Sequence, residues 1–271
     1  MSKKPMQKHF YGWRPETKDH RDRRYTAPYN LLLAPLPKAV DLRGQQAEVW
    51  NQGQLGACTG HGITACTMHL AMWQWMQKNP GKAWADARTA VTMRSRLGLY
   101  YLERAMEGTI MSDAGGMIRD GIKCLVKYGC GSESLWPYDI SKFTQKPPAA
   151  WYRDGLNNQL LTYTKITDGS LMNMKECLAE GFPFVFGFTV YESFESAAVA
   201  KTGNMPIPKR TERALGGHCV AAVGYDDASQ RLIVRNSWGT GWGQQGYFTM
   251  PYDCAPDCTD NWTLRSEEVA P

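Results

Sequence analysis

Apolar residues recur at helical spacing in a stretch that begins at Cys58. Ile63, Cys66, Leu70 and Trp73 follow at steps of three, four and three, which predicts a helix from 58 to about 77 with one buried face. Pro80-Gly81 ends it. A second stripe, Ile118, Ile122, Leu125 and Val126, predicts a helix over 117–128 with Gly129 at its C′ position. Beyond 145 the pattern changes, and Pro147-Pro148 marks the crossing. Ser170 can cap a short helix over 171–180, closed by Gly181. The runs 183–190, 219–225, 231–235 and 246–250 are rich in Val, Phe and Ile and read as strands. Asp260-Asn261-Trp262 reads as a final crossing strand in a tail of sparse signal. Helices before 145 and strands after it predict an α+β chain of two lobes, about 51–145 and 146–252, followed by a tail, 253–271. Residues 1–37 show little periodicity and contain Pro28, Pro35 and Pro37, so they read as an arm in front of a domain spanning 38–271.

Composition narrows the class. A chain of 271 residues, 43% hydrophobic and 21% charged, can build a sizeable core. It contains no apolar run of the roughly 18 residues that a transmembrane helix needs. MSKKPMQKHFYGW has basic residues without the apolar stretch of a secretory signal, so a cytoplasmic protein, or one released without a signal peptide, is expected. The net charge of +5 falls entirely within the first 37 residues. The neutral remainder gives no reason to expect nucleic-acid binding, whereas the basic arm is suited to an acidic surface. Eight cysteines and no signal segment favour reduced thiols. Cys254 and Cys258 alone are too sparse for a zinc site, and no metal is expected.

The chemistry concentrates in three segments. Asn51–Gly60, NQGQLGACTG, sets Cys58 at a helix start, where the positive end of the macrodipole favours the thiolate. Gln52 lies just upstream and can offer an amide N–H to a developing oxyanion. GGHCVAAVGY places His218 at the head of a strand, and RNSWGTGWG places Asn236 after the next. A thiol, an imidazole and an acceptor that orients the ring form a nucleophilic triad, and such residues lie far apart in sequence. His61, three residues beyond Cys58, would point along the same helix and is read as a supporting or exposed residue.

These segments, GQLGAC, GGHCVAAVGY and RNSWGTGWGQQGYF in that order, resemble the active-site blocks of the papain-like cysteine peptidases. The likeness runs from about Val40 to Met250. It departs at Leu55, where the family has a cysteine, at Thr59, where an aromatic is usual, and in extra residues placed mainly over 191–215. YYLERAMEGT, LWPYDISKF and the insertion before LGGH resemble bacterial and phage-borne members more closely.

The resemblance implies a two-lobe fold, helical and β-barrel-like, with the cleft between lobes. It implies hydrolysis of a polypeptide through a Cys58 thioester, with His218, Asn236 and Gln52 in the catalytic roles, Trp238 covering the Asn236–His218 bond, and no cofactor. Gly115 and Gly116, with Gly56, would hydrogen-bond an extended substrate. Met117, Ile118 and Cys219 would line an apolar pocket for the residue two before the scissile bond. Ser237 reads as a small packing residue. Tyr11-Gly12-Trp13-Arg14-Pro15 and Asp19-His20-Arg21-Asp22 resemble the family's bacterial leaders, so the arm is expected to occupy the cleft as an inhibitory prosegment of a monomer. A flexible leader, a catalytically silent binding or virion component, and an acyl transferase on the same thioester are the alternatives.

Overall fold

The computed structural model describes residues 9–267. After the short helix α1 (Tyr29–Leu32) and strand β1 (Ala39–Asp41) come α2 (Cys58–Lys78), α3 (Trp84–Ala90), α4 (Arg96–Met106) and α5 (Ile118–Tyr128). Then follow α6 (Ala149–Gly155), β2 (Leu160–Lys165), α7 (Leu171–Ala179), β3 (Phe184–Tyr191), α8 (Ala197–Thr202), β4 (Ala214–Asp226), β5 (Arg231–Arg235), β6 (Tyr247–Pro251) and β7 (Thr259–Glu267). The sheet runs β2-β7-β3-β4-β5-β6, and β1 pairs with the far end of β4. The architecture is α+β, as the pattern implied.

Helix α2 is buried on every side from Cys58 to Met72, not on the single face expected. Its other faces carry small residues that admit close neighbours. A Cβ on Gly60 would lie 2.9 Å from the Arg96 carbonyl of α4, and one on Gly62 would lie 3.0 Å from the Cys219 sulfur of β4. The helix is thus wedged between the helical layer and the sheet. Stripe reading counts large apolar residues and misses this.

Strand β4 grows well beyond its expected bounds and pairs with β3 from Ala214 to Ala222, which sets Phe188 opposite His218 and Gly187 opposite Cys219. The region read as a tail supplies β7, which lies between β2 and β3. Strand β1, just after the arm, joins the sheet with Val40 opposite Tyr225. Among the described residues no helix is long and apolar enough to cross a membrane.

Candidate active site

Two loops from opposite lobes meet and bring the three sequence blocks together. The loop before α2 pairs with the loop after β5: Asn51 bridges Trp238, the Gln52 N–H donates to the Ser237 carbonyl at 2.8 Å, and the Gly239 N–H donates to that of Trp50 at 3.0 Å. Cys58 opens α2 beside this junction, with none of its surface exposed.

His218 lies in β4 and Asn236 follows β5. The His218 Nε2–H donates to Asn236 Oδ1 at 2.8 Å, and the same oxygen accepts from the Ser237 N–H at 2.8 Å. That bond fixes the tautomer and leaves the Nδ1 lone pair free, with no described hydrogen-bond partner. Trp238 stacks on the imidazole with centroids 4.9 Å apart and covers this bond from water.

Gln52 is held more firmly than its sequence suggested. Its Oε1 accepts from the Ser237 hydroxyl at 2.6 Å, which turns Nε2 toward the cleft. Ser237 is therefore a hydrogen-bond donor that orients the amide, and its reading as a packing residue is corrected. Nε2 donates to the Leu55 carbonyl at 2.8 Å and to the Phe10 carbonyl at 3.0 Å. His61 is buried rather than exposed. Its Nδ1 bonds the Ala57 carbonyl at 2.8 Å, and burial, reinforced by Arg96, pushes its pKa down to about 3.

The arm runs through the cleft. Gly116 donates to the Gly12 carbonyl at 2.7 Å and accepts from the Arg14 N–H at 3.0 Å, a parallel bridge centred on Trp13. The Trp13 N–H donates to the Gly217 carbonyl at 3.0 Å. Gly12 passes so close to the Gly56 and Gly115 backbones that a Cβ on Gly12 would overlap the Gly56 carbonyl. Gly56 is braced by its N–H bonds to Asp113, at 2.9 Å to Oδ2.

The Trp13 indole lies on Gly187 and Gly217, where any side chain would collide with it. Its Nε1–H donates to Asp260 Oδ2 at 3.1 Å. This pocket differs from the uncharged one expected from Met117, Ile118 and Cys219: an acid stands at its end, and the Cys219 sulfur turns to Gly62 of α2. Asp260, at φ 54°, was expected only as part of a crossing strand, and nothing in its local sequence signals its place at this pocket.

Burial under the arm sets the charge state. Desolvation drives the Cys58 thiol up to about 11, against the weaker pull of the Cys219 and Gly12 N–H groups. Desolvation also lowers His218 to about 4, opposed by its bond to Asn236. With the arm in place, burial disfavours the charged form of both groups.

Farther along, the arm is fixed by charge. Glu16, 1% exposed, meets Lys165 Nζ at 2.6 Å and Arg119 at 3.0 Å, and accepts from the Trp262 indole N–H at 3.2 Å. Arg119 also meets Asp22 at 2.6 Å and donates to the Thr17 carbonyl at 2.7 Å. Arg14 pairs with the buried Glu107. The Tyr25 N–H donates to the Lys165 carbonyl at 2.9 Å, and the Tyr25 hydroxyl donates to Glu180 at 3.1 Å. All eight cysteines are buried, with the Cys258 thiol on the Cys254 carbonyl at 3.5 Å.

Comparison with known proteins fits this geometry. The sequence pattern of the papain family cysteine proteases matches residues 106–264. An uncharacterized peptidase C1-like protein of Acanthamoeba polyphaga mimivirus is 39% identical over 85% of this chain and 73% of its own. Cathepsin B-like CP3 of Giardia intestinalis is 40% identical over 84% of this chain and 73% of its own. Among solved structures, xylellain, a cysteine protease from Xylella fastidiosa, superposes with a TM-score of 0.83 at 34% identity, covering 98% of this chain and 99% of that one. A procathepsin L 3 of Tenebrio molitor, at 20% identity and a TM-score of 0.66, shares the fold. Pattern, relatives and fold agree: the chain belongs to the papain family of cysteine proteases and is a hydrolase.

Proposed function

We propose that the chain is a self-inhibited cysteine endopeptidase in which Cys58 is the nucleophile, His218 its acid–base partner and Asn236 the ring's orienter. In the open state Cys58 gives its proton to His218 Nδ1, the unpartnered ring nitrogen, and attacks the substrate carbonyl. The oxyanion that forms takes the Gln52 Nε2–H and the Cys58 backbone N–H. His218 then returns the proton to the departing amine, and water releases the acyl group from sulfur. Loss of one oxyanion donor costs on the order of 10²–10³ in rate in comparable enzymes.

The observation that carries the self-inhibited reading is the bond from Gln52 Nε2 to the Phe10 carbonyl: an arm carbonyl occupies the donor that the reaction needs. The pairing at Gly116 supports it further. The arm runs parallel to that strip and presents the Gly12 N–H, rather than a carbonyl carbon, to the Cys58 sulfur. An occupant so placed blocks the site without being cut there. Burial raises the thiol and lowers the imidazole, so the covered pair is also chemically quiet.

The test compares the full chain with a chain beginning at Lys38, on one fluorogenic peptide and with active sites titrated. The shorter chain is expected to be at least tenfold faster, and added arm peptide to slow it again. Equal rates, with the arm intact by mass, would refute inhibition. Cys58→Ala is expected to abolish turnover in both.

A further inference from the structure

The residues inserted between β3 and β4 carry a carboxylate that the proposed reaction does not use. With the arm in place the Glu195 side chain is 8% exposed, and it stands on a packed aromatic platform. Its neighbour Phe194 packs against Trp238 and Trp242, each at 5.6 Å, and against Phe248 at 5.1 Å. The Phe194 N–H bonds the Tyr191 carbonyl, and Ser196 caps α8 through the Val199 N–H.

Both described groups on the Glu195 side chain come from the arm. His9 Nδ1 lies 2.7 Å from one oxygen, and the Tyr11 hydroxyl donates to the other. His9 also stacks on Trp238, with centroids 3.7 Å apart, and Tyr11 packs on Gly216 beside His218. The nearby Arg213 is engaged with Glu192 at 3.1 Å. When the arm leaves, Glu195 therefore loses both partners while its platform stays. The departing arm also uncovers the carboxylate, and a ligand that brings a cationic donor to the same place can form a charge-assisted bond with it.

The chemistry says which part of a substrate passes there. His218 protonates the departing amine, so the leaving half of the peptide lies along the His218–Trp238 wall, where His9 and Tyr11 now sit. We infer that Glu195 selects a basic side chain on the leaving-group side of the scissile bond, within the first two residues after the cut. The arm holds the same carboxylate in the closed state, so one residue serves both latch and selection. This inference rests on the peptidase reading of the site.

The experiment uses the full chain opened by Gly12→Val together with Glu16→Ala, its cleft shown to be accessible beforehand by complete alkylation of Cys58. Quenched peptides differ only in carrying Lys, Gln or Glu at the first or second position after the cut. The Lys peptide is expected to exceed the Glu peptide about tenfold or more in kcat/KM. Glu195→Gln is expected to bring that ratio close to one, and Glu195→Lys to invert it. The readout is a ratio within one protein, so a general loss of activity does not mimic it. The same peptides are bound to the opened chain carrying Cys58→Ala and followed by fluorescence anisotropy, which reads the preference without cleavage. Equal treatment of Lys and Glu peptides in both measurements would overturn the inference. Absence of any cleavage would count against the peptidase reading alone, and binding would still decide the role of Glu195.

Discussion

The arm crosses the molecule in two halves held by different physics. Residues 9–13 lie in the cleft and are held mainly by backbone hydrogen bonds, ring stacking and shape, with side-chain bonds from His9 and Tyr11 to Glu195 and from Trp13 to Asp260. Residues 14–25 lie over α5, β2 and β7 and are held largely by charges removed from water, Glu16 and Asp22 from the arm against Arg119 and Lys165 from the body. The first half tolerates almost no added atom, because Gly12 is wedged against Gly56 and Gly115. The second tolerates no lost charge, because each buried ion would be stranded. On the self-inhibited reading proposed above, blocking the site and staying in place are separate tasks, given to adjoining segments.

The largest effect should come from the charged half. Glu16→Ala removes the acid that Lys165 and Arg119 share, leaving Arg119 with Asp22 and Lys165 with only the longer contacts to Asp168 and Asp260 at 3.7 and 3.8 Å, and breaking a buried pair costs about 3 kcal/mol or more. The intact full chain, checked by mass, is expected to gain at least a hundredfold in steady-state rate. A change below threefold would show that the cleft half holds alone. Next is Gly12→Val, whose overpacking of about 1–3 kcal/mol should raise the rate roughly tenfold to a hundredfold. It should also make Cys58 the first thiol alkylated at pH 7, which peptide mapping would show.

A pH profile sharpens the comparison at the boundary between the halves. Asp260 accepts from Trp13 on one side and from the Glu16 N–H at 3.0 Å on the other. Desolvation first, then the Glu16 charge, raises its pKa from 3.8 to about 7 with the arm docked. A docked pKa above the ordinary value means that protonation favours docking. Docking gains strength as pH falls through about 7 toward 4, and that gain is absent above 7. Arm release, followed by the exposure of Trp fluorescence, is expected to be several-fold slower at pH 5.5 than at pH 8, and Asp260→Asn should flatten the difference. The smallest effect belongs to the far end. Tyr25→Phe removes one bond to Glu180, about 1 kcal/mol, and should raise the full-chain rate less than tenfold.

The residues to which the chemistry is assigned in the proposal were legible because each sits in a short local pattern: a glycine-rich turn before a helix for Cys58, strand heads and ends for His218 and Asn236. What supports them was not. Ser237 acts on Gln52 across 185 positions of sequence, and nothing local in Asn236-Ser237-Trp238 signals that partner. Asp260 and Glu195 stand in a weakly patterned tail and in an insertion, and only the register of β7 with β3 and the packing of Phe194 bring them to the cleft. The long helix α2 was found, but its all-round burial was hidden by Gly60, Gly62 and Ala65, which periodicity does not weigh. In the arm, docking was suggested by the resemblance of the runs from Tyr11 to Pro15 and from Asp19 to Asp22 to the family's bacterial leaders. The pairing of Glu16 with two distant cations could not be read from charge counts.

Strand β1 fixes one end of the loop that joins arm to body. Ala39–Asp41 stay hydrogen-bonded to β4, whereas Tyr29 and Leu33 before them are exposed to solvent and to any protease. A cut there changes the order of the closing reaction. In the intact chain the arm returns at a rate independent of concentration. Once severed, it returns only by encounter, so the closed fraction falls with dilution. A crowded population of cut molecules would remain shut, and the same molecules would open as they dispersed.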